Sequence, residues 1–559
     1  MGWREVEREG DARFVWVDPS HGMRAETFQR LGKKQRVNFF PGMKEMCNKK
    51  PLYRLLNRLT RMATAADFPF FPRTWVLPED YEDFDAQMRQ KKPKTFIVKP
   101  DGGAQGTGIF LQRSGQENRV QPGDRYIIQR YIHRPLLLDG LKFDLRLYVL
   151  VTSMDPLRCY LHKEGLARFC TQRYTAPTSK NLSEAYMHLT NYSLNKNNAE
   201  GFVHDDEESG SKRSLRTAWE QISTAGHDAD SAWEAIQEMC RRVMLAKQAF
   251  LWYSYHTLIP VDDGASACFQ ILGFDVLLDE RMRPWLLETN NGPSLNLDQD
   301  IDRSVKLPVV SEALEMVKPF YSQPAVTPTS GNSSSRPSAA TTGPGSCAIP
   351  GPVTEADILA LRARRQAAHT KALAWELKSA EGFELLYDGE ELQGELQVLF
   401  PLARPEVMEA FEIASRVGER PPPSPSGAWW AGPMRGLTQP KFAGALRQLG
   451  LLDGKIVSRT DADLAYKEAM KDQDRDKGMT YEIFGRALIA LAVRLIPPMS
   501  EDSGEGGGGG GGSGSSRAVD SLAQLLDDGL EACSGTSLRF RKPAPVAGGA
   551  PPRPVSALQ

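Results

Sequence analysis

Lys99 ends a short β-rich run and is followed by Pro-Asp-Gly102-Gly103-Ala-Gln-Gly106-Thr-Gly108, four glycines within seven residues. Such a turn lets backbone N–H groups come close to an anion, and a cation at its entrance would neutralise phosphate. The spacing is neither the P-loop G-x-x-x-x-G-K-[ST] nor the dinucleotide fingerprint, so alone it also suits a glycine-rich hairpin with no ligand. Lys142, Asp144 and Arg146 alternate in KFDLR, which puts all three on one face of a strand. Buried there they would build a site; exposed, they would form a solvated edge. Asp275 lies in LGFDVLL, and Glu288 and Asn290 lie in PWLLETNNG. Two carboxylates and an amide at the ends of adjacent apolar strands are hard oxygen donors, the kind Mg²⁺ takes beside water and phosphate. Unrelated turn caps would use the same residue types. Arg168, in EGLARF, is a fixed cation able to orient a carboxylate or phosphate bidentately. His188-Leu-Thr190-Asn191-Tyr192-Ser193 gathers polar residues after a long polar loop, and His188 is by type as readily structural as catalytic. Together these groups point to a nucleotide- and Mg²⁺-dependent enzyme that transfers a phosphoryl group to an oxygen. No cysteine or Ser-His-Asp nucleophile motif competes with that reading.

Strands must carry these groups. Thr95–Lys99 (TFIVK), Tyr126–Ile132 (YIIQRYI), Phe269–Leu278 (FQILGFDVLL) and Pro284–Glu288 (PWLLE) read as strands, the last two joined by a turn over Asp279–Arg283. Lys142–Thr152 (KFDLRLYVLVT) alternates polar and apolar with period two, the pattern of a half-buried strand. A helix is expected over 231–258. Strands mixed with helices give an α+β fold class for the enzyme core.

The whole chain has 559 residues and near-cancelling charge, 69 Lys+Arg against 70 Asp+Glu, which excludes the global basic excess of a nucleic-acid binder. The first 100 residues nevertheless hold 20 Lys/Arg against 13 Asp/Glu, a local excess that suits an acidic partner. A hydrophobic content of 41% is enough for a sizeable core. No apolar run reaches 18 residues and no h-region follows Met1, so neither a membrane span nor a signal peptide is expected. Seven scattered cysteines without C-x-x-C fit a reducing compartment and no disulfide framework. Composition divides the chain. Residues 1–321 read as one dense unit and 322–353 as a disordered Pro/Ser/Thr/Gly linker. Thr354-Glu-Ala-Asp357 resembles a capping box that opens a helical connector over 354–389. A second compact unit follows over 390–495, interrupted by a Pro/Ser-rich loop near 420–427. The Gly/Pro-rich tail over 496–559 is expected to be disordered apart from a short helix at 517–532.

FFPRTWVLP, IVKPDGGAQGTGIFL, IIQRYIHRPLLLDGLKFDLRLYVLVTS, EGLARF, MHLTNYSLNK and ILGFDVLLDERMRPWLLETNNGPSL, together with NFFPGMKEMCNKKPL, occur in this order. Over about 1–320 they resemble the tubulin tyrosine ligase-like family. KFDLRLYVLVTSMDPLR with EGLARF is most similar to its glutamate-adding, polyglutamylase branch. The resemblance implies an ATP-grasp fold with ATP between two sheets and its phosphates under the glycine loop, at Gly103, Gly106 and Gly108. It implies that Lys99 and the strand residues Gln129, Arg130, Tyr131 and Ile132 contact ATP. Lys142, Asp144, Arg146 and Arg168 would form the catalytic group, with Lys142, Asp144 and Asn191 also reaching the nucleotide. Asp275, Glu288 and Asn290 would ligate Mg²⁺. The implied reaction converts a glutamate carboxylate of an acidic tubulin tail into an acyl phosphate, which the amine of free glutamate then attacks. Implied partners are tubulin and microtubules, with no nucleic acid and no membrane. The implied location is the cytoplasm and cytoskeleton, in a cilium or flagellum axoneme or basal body.

Some positions depart from the family pattern. The chain opens with GWREV, where relatives are expected to carry an earlier strand and helix portion, as if the start were truncated. Thr107 stands where glutamylating relatives usually carry Arg. ETNNGPSL replaces the more usual E-V-N-H-S-P-S-F, which leaves branch initiation and elongation both open, and no long basic helical segment follows residue 320. A glycine- or tyrosine-adding ligase and a non-catalytic microtubule scaffold are the other readings. The segment from Phe442 to Ala492 resembles the tubulin-polymerisation-promoting protein domain, best over about 440–495. That resemblance implies a small all-α, EF-hand-like fold associated with microtubules. Asp472-Gln-Asp474-Arg-Asp476 is superficially a calcium loop, but Gly478 falls at loop position seven instead of six and Ile483 at position twelve cannot chelate.

Overall fold

The computed structural model describes residues 4–318 apart from 9–10, 19–23, 33–34, 63–65, 103–105, 205 and 260–265. Beyond these it describes 354–389, 396, 400–417, 434–452, 456–471, 473, 478–495 and 521–527. The expected linker over 322–353, Gly103, and the Asp472, Asp474 and Asp476 run lie outside the described residues. So does the expected tail, except 521–527, which is helical.

Two antiparallel sheets organise the first unit, and the fold is of mixed α and β type. The smaller contains β1 (Thr74–Val76), β2 (Thr95–Pro100), β3 (Phe110–Arg113) and β4 (Tyr126–Arg130), in the order β1-β4-β2-β3. The larger is built on β5 (Leu141–Met154), β6 (Leu157–His162), β7 (Leu166–Phe169), β8 (Lys212–Ser214), β9 (Gln270–Leu278) and β10 (Pro284–Asn290). Its central order is β8-β7-β5-β9-β10. All five expected strands form, each within two residues of its expected ends.

β5 is not half-buried as its alternation suggested. Its odd residues Phe143, Leu145, Leu147, Val149 and Val151 enter the main core with helix α2 (Ala229–Leu258). Its even face is split. Tyr148 and Leu150 pack against Val305 and Val309 of helix α3 (Asp300–Met316), while Lys142, Asp144 and Arg146 occupy the other end. A strand covered on both faces can carry charges only where they find partners, and these three do. Helix α2 starts two residues before the expected 231–258. Asp228 caps it, accepting from the Ser231 N–H at 3.0 Å.

The capping box at Thr354 forms: its hydroxyl accepts from the Asp357 N–H at 3.3 Å, and Asp357 accepts from the Thr354 N–H at 2.9 Å. It opens helix α4 (Glu355–Ser379). The expected helical connector then becomes a strand, β11 (Phe383–Tyr387), which pairs antiparallel with β6 and extends the large sheet. FELLY has the β-rich composition for this. Gly382 allows the approach, since a Cβ there would come within 2.7 Å of both Glu312 and His162. Helices α5 (Pro405–Arg416), α6 (Gln439–Gln448), α7 (Arg459–Ala469) and α8 (Tyr481–Leu495) follow. Phe411, Phe442 and Phe484 form their core, and Trp252 of α2 is buried in the same cluster.

Candidate active site

A cavity lies between the two sheets. Ile97, Lys99, Gln129 and Arg130 line it from the small sheet, and Lys142, Asp144, Asp275 and Glu288 from the large one. Tyr131, Ile132 and Asn191 complete the expected set that reaches it.

Strand register sets the charge pattern. Asp144 stands opposite Arg168, and Asp275 lies between Arg146 on one side and Glu288 on the other. Opposed charges on neighbouring strands attract. Arg168 grips Asp144 bidentately, with both bonds at 2.7 Å, and reaches Asp275 at 2.7 Å. Arg146 donates to Asp275 at 2.5 and 3.0 Å. Burial alone would raise the Asp275 pKa, but the two guanidiniums outweigh it and hold it below the usual carboxylate range. Burial opposes the charge on Arg168, yet Asp144 and Asp275 beside it raise its pKa.

Two lysines reach the cavity, one from each sheet. Lys99 Nζ donates to Gln129 Oε1 at 2.6 Å, and Gln129 is itself anchored on Thr74 Oγ1 at 3.0 Å. Burial pulls the Lys99 pKa down to about 8 against the pull of Glu288. Lys142 Nζ donates to the Tyr131 hydroxyl at 3.0 Å and to the His188 carbonyl at 2.7 Å. His188 Nε2 faces the Asn181 carbonyl at 2.9 Å and therefore carries the proton, so Nδ1 accepts from Tyr131 at 3.0 Å. Burial and the nearby Lys142 push the His188 pKa down to about 4, which keeps the ring neutral.

The glycine turn closes the cavity's edge. Gly106 and Gly108 have φ of +85° and +72°, and a Cβ on Gly106 would lie 3.2 Å from Asn191 Oδ1. The turn and Asn191 are thus brought together, as their assignment to one ligand requires. Asn290 is not part of the cavity lining, but its amide lies 3.3 Å from Glu288 Oε1. Asp275 and Glu288 face the same cavity on adjacent strands, a hard-donor pair that fits Mg²⁺.

Four further side chains, none given a role by its sequence pattern, bear on this arrangement. Thr190 donates to Asp144 at 2.7 Å. Helix α1 (Lys49–Met62) places Lys49 3.5 Å from Glu288 and lets the Tyr53 hydroxyl donate to the Leu287 carbonyl. Buried Lys247 of α2 bonds Thr289. HLTN contained the signal for Thr190, and NKKPLY contained it for Lys49 and Tyr53. Nothing near Lys247 marks it.

Two sheets enclosing a polar cleft, with Lys99 from the small one and Lys142, Asp144, Asp275 and Glu288 from the large one, fit a mixed α/β, ATP-grasp-like class. The tubulin-tyrosine ligase family model matches residues 28–325, more than half of the chain, and the chain belongs to that family. It is 43% identical over 316 residues to the tubulin polyglutamylase ttll6 of Danio rerio, covering 56% of this chain and 40% of that protein. It is 44% identical over 318 residues to the tubulin polyglutamylase TTLL13 of Mus musculus, covering 56% and 39%. It is 39% identical over 324 residues to the tubulin polyglutamylase TTLL7 of Mus musculus, covering 57% and 35%. The matched region thus spans two fifths or less of these curated relatives. Among the described residues, no helix is long and apolar enough to cross a membrane.

Proposed function

We propose that this chain is an ATP-dependent tubulin polyglutamylase, joining free glutamate to glutamate side chains of tubulin tails. The observation that carries this reading is the single cavity in which Lys99 and Lys142 converge on Asp275 and Glu288. The names of the relatives support the choice of glutamate and tubulin.

In this proposal Lys99, Gln129 to Ile132, Asn191 and the glycine turn at Gly106 and Gly108 hold ATP. Asp275, Glu288 and Asn290 would hold Mg²⁺, which supplies charge neutralisation and orients phosphate oxygens. Arg168 and Arg146, fixed by Asp144 and Asp275, offer preorganised positive charge where a carboxylate is being activated. A carboxylate resists amines until one oxygen becomes a good leaving group, which is the reason for spending ATP. Lys142, buried and held by Tyr131 and His188, keeps a cation at the cleft without solvent competition. Helix α1 carries Lys49, Lys50, Arg54, Arg58 and Arg61 with no acidic residue, which suits an acidic tail.

The resemblance of 440–495 to a tubulin-polymerisation-promoting protein domain, EF-hand-like in fold, extends the proposal to a microtubule-docking role for these helices. A cytoskeletal, ciliary location belongs to the same reading.

The test is purified protein with stabilised microtubules, ATP, Mg²⁺ and equimolar Glu, Gly and Tyr, read by intact mass of the tubulin tails. Glutamyl increments that vanish in Glu288→Gln with unchanged circular dichroism are expected. Retained turnover in that variant, or glycyl or tyrosyl increments, would overturn the assignment.

A further inference from the structure

Lys247 is the most unusual charged residue outside the cavity. It lies in the middle of α2 with 0% exposure, and no carboxylate among the described residues pairs with it. Burying an ammonium in this way is costly unless its hydrogen bonds are used. Its Nζ donates to Thr289 Oγ1 at 3.0 Å, lies 3.9 Å from Cys47 Sγ, and sits 5.6 Å from the centre of the Phe274 ring. Burial pulls its pKa down.

Those contacts fall at one place in the sheet. Phe274 and Thr289 are register partners, and the next pair along is Asp275 and Glu288. Neighbouring residues of a strand point to opposite faces. Lys247 therefore grips the back of the sheet where the acid pair projects from the front. The register also slips here: Asp275 pairs with Glu288 but Val276 with Leu286, so Leu287 is an extra, bulged residue. Bulges re-aim the side chains beside them. The Leu287 carbonyl is held from the cavity side by the Tyr53 hydroxyl and, at 3.5 Å, by Lys99 Nζ. From behind, the Lys247–Thr289 bond is the matching polar restraint.

We propose that Lys247 is a positioning residue for metal binding: through Thr289 it pins the bulged strand so that Glu288 and Asp275 face one ion. This rests on the metal reading of Asp275 and Glu288. Partners behind a metal's direct ligands typically change its affinity by about 10–100-fold when removed.

The test measures binding, not turnover. Mn²⁺ is titrated into the full chain with a non-hydrolysable ATP analogue, and free Mn²⁺ is followed by electron paramagnetic resonance. Lys247→Met and Thr289→Val are each expected to weaken Mn²⁺ by about tenfold or more, while the double variant is no weaker than either single one. Thr289→Val is nearly isosteric and removes only the hydroxyl, so it decides the matter if Lys247→Met does not fold. Mn²⁺ affinity within twofold of the parent in Thr289→Val, or additive losses in the double variant, would overturn the positioning role. A parent that binds no Mn²⁺, like Glu288→Gln, would instead overturn the metal reading and this inference with it.

Discussion

Replacing Glu376 should destabilise the catalytic unit, although it lies more than 200 residues beyond the strands it touches. It accepts four hydrogen bonds: from Thr152 Oγ1 at 2.9 Å, Arg158 Nε at 2.9 Å, Arg158 Nη2 at 3.1 Å and the Tyr160 hydroxyl at 2.8 Å. Arg158 and Glu376 side chains are each only 2% exposed. The third face of Arg158 meets His369 Nδ1 at 2.6 Å, and burial together with Arg158 pushes the His369 pKa down to about 4, so that ring stays neutral and leaves Glu376 as the partner that balances the guanidinium. Glu376→Gln keeps the shape but leaves a guanidinium buried without an anion. Breaking a buried pair in this way costs about 3–5 kcal/mol, against a typical total of about 5–15 kcal/mol. Replacing both partners, as Arg158→Met with Glu376→Leu, should cost far less because no orphaned charge is left. Urea denaturation followed by circular dichroism would measure both. A loss below about 1 kcal/mol for Glu376→Gln, or a double variant as unstable as the single one, would refute the reasoning.

Nucleotide-analogue affinity should fall as pH rises through about 8, because the Lys99 ammonium proposed to meet the phosphates is lost there. Between pH 7 and 9 the loss should reach at most about tenfold, and fluorescence titration of Lys99→Arg should show it flattened. Stability moves the other way. The unfolded chain keeps this proton to the ordinary lysine range while the folded chain releases it near 8, so stability rises with pH above 8; a Lys99→Met variant lacking that rise agrees, and one keeping it does not. Gly106→Ala should cost about 1–2 kcal/mol from its positive φ and raise the KM for ATP, since the new Cβ crowds Asn191; an unchanged KM would count against the turn's role. A chain ending at residue 353 should aggregate, because it loses β11 and Glu376; a monodisperse, active product would contradict that.

Much of the site was legible because its groups sit at register-compatible spacings. KFDLR places three charges two residues apart on one strand face, LGFDVLL and PWLLETN each set one carboxylate in an apolar strand, and sheet formation then puts Asp275 between Arg146 and Glu288. The strands themselves were legible from β-branched runs between glycine and polar turns. The burial of β5 was not, because period two reports one polar face without saying what covers it. Here the polar end faces a cleft and the apolar end faces α3. Lys247 was invisible for a related reason. A lysine in an amphipathic helix reads as solvated, and only the packing of α2 against β10 shows that it is enclosed.

Low-complexity composition near 322–353 suggested a break, and the residues after it do not behave as though detached. α4 supplies Glu376 to strands β5 and β6, β11 pairs with β6, and Arg365 of α4 reaches Asp155 of the β5–β6 turn at 2.8 Å. His256, near the end of α2, donates to the same carboxylate at 2.8 Å. Glu412 of α5, with 0% exposure, accepts from Arg365 at 3.1 Å. Such partners are too far apart in sequence for any local pattern to announce them. β5 joins the two regions physically: Lys142, Asp144 and Arg146 stand at one end, and Thr152 bonds Glu376 at the other. Linker composition measures only the cost of ordering the linker itself, and says nothing about whether the segments on either side share a core.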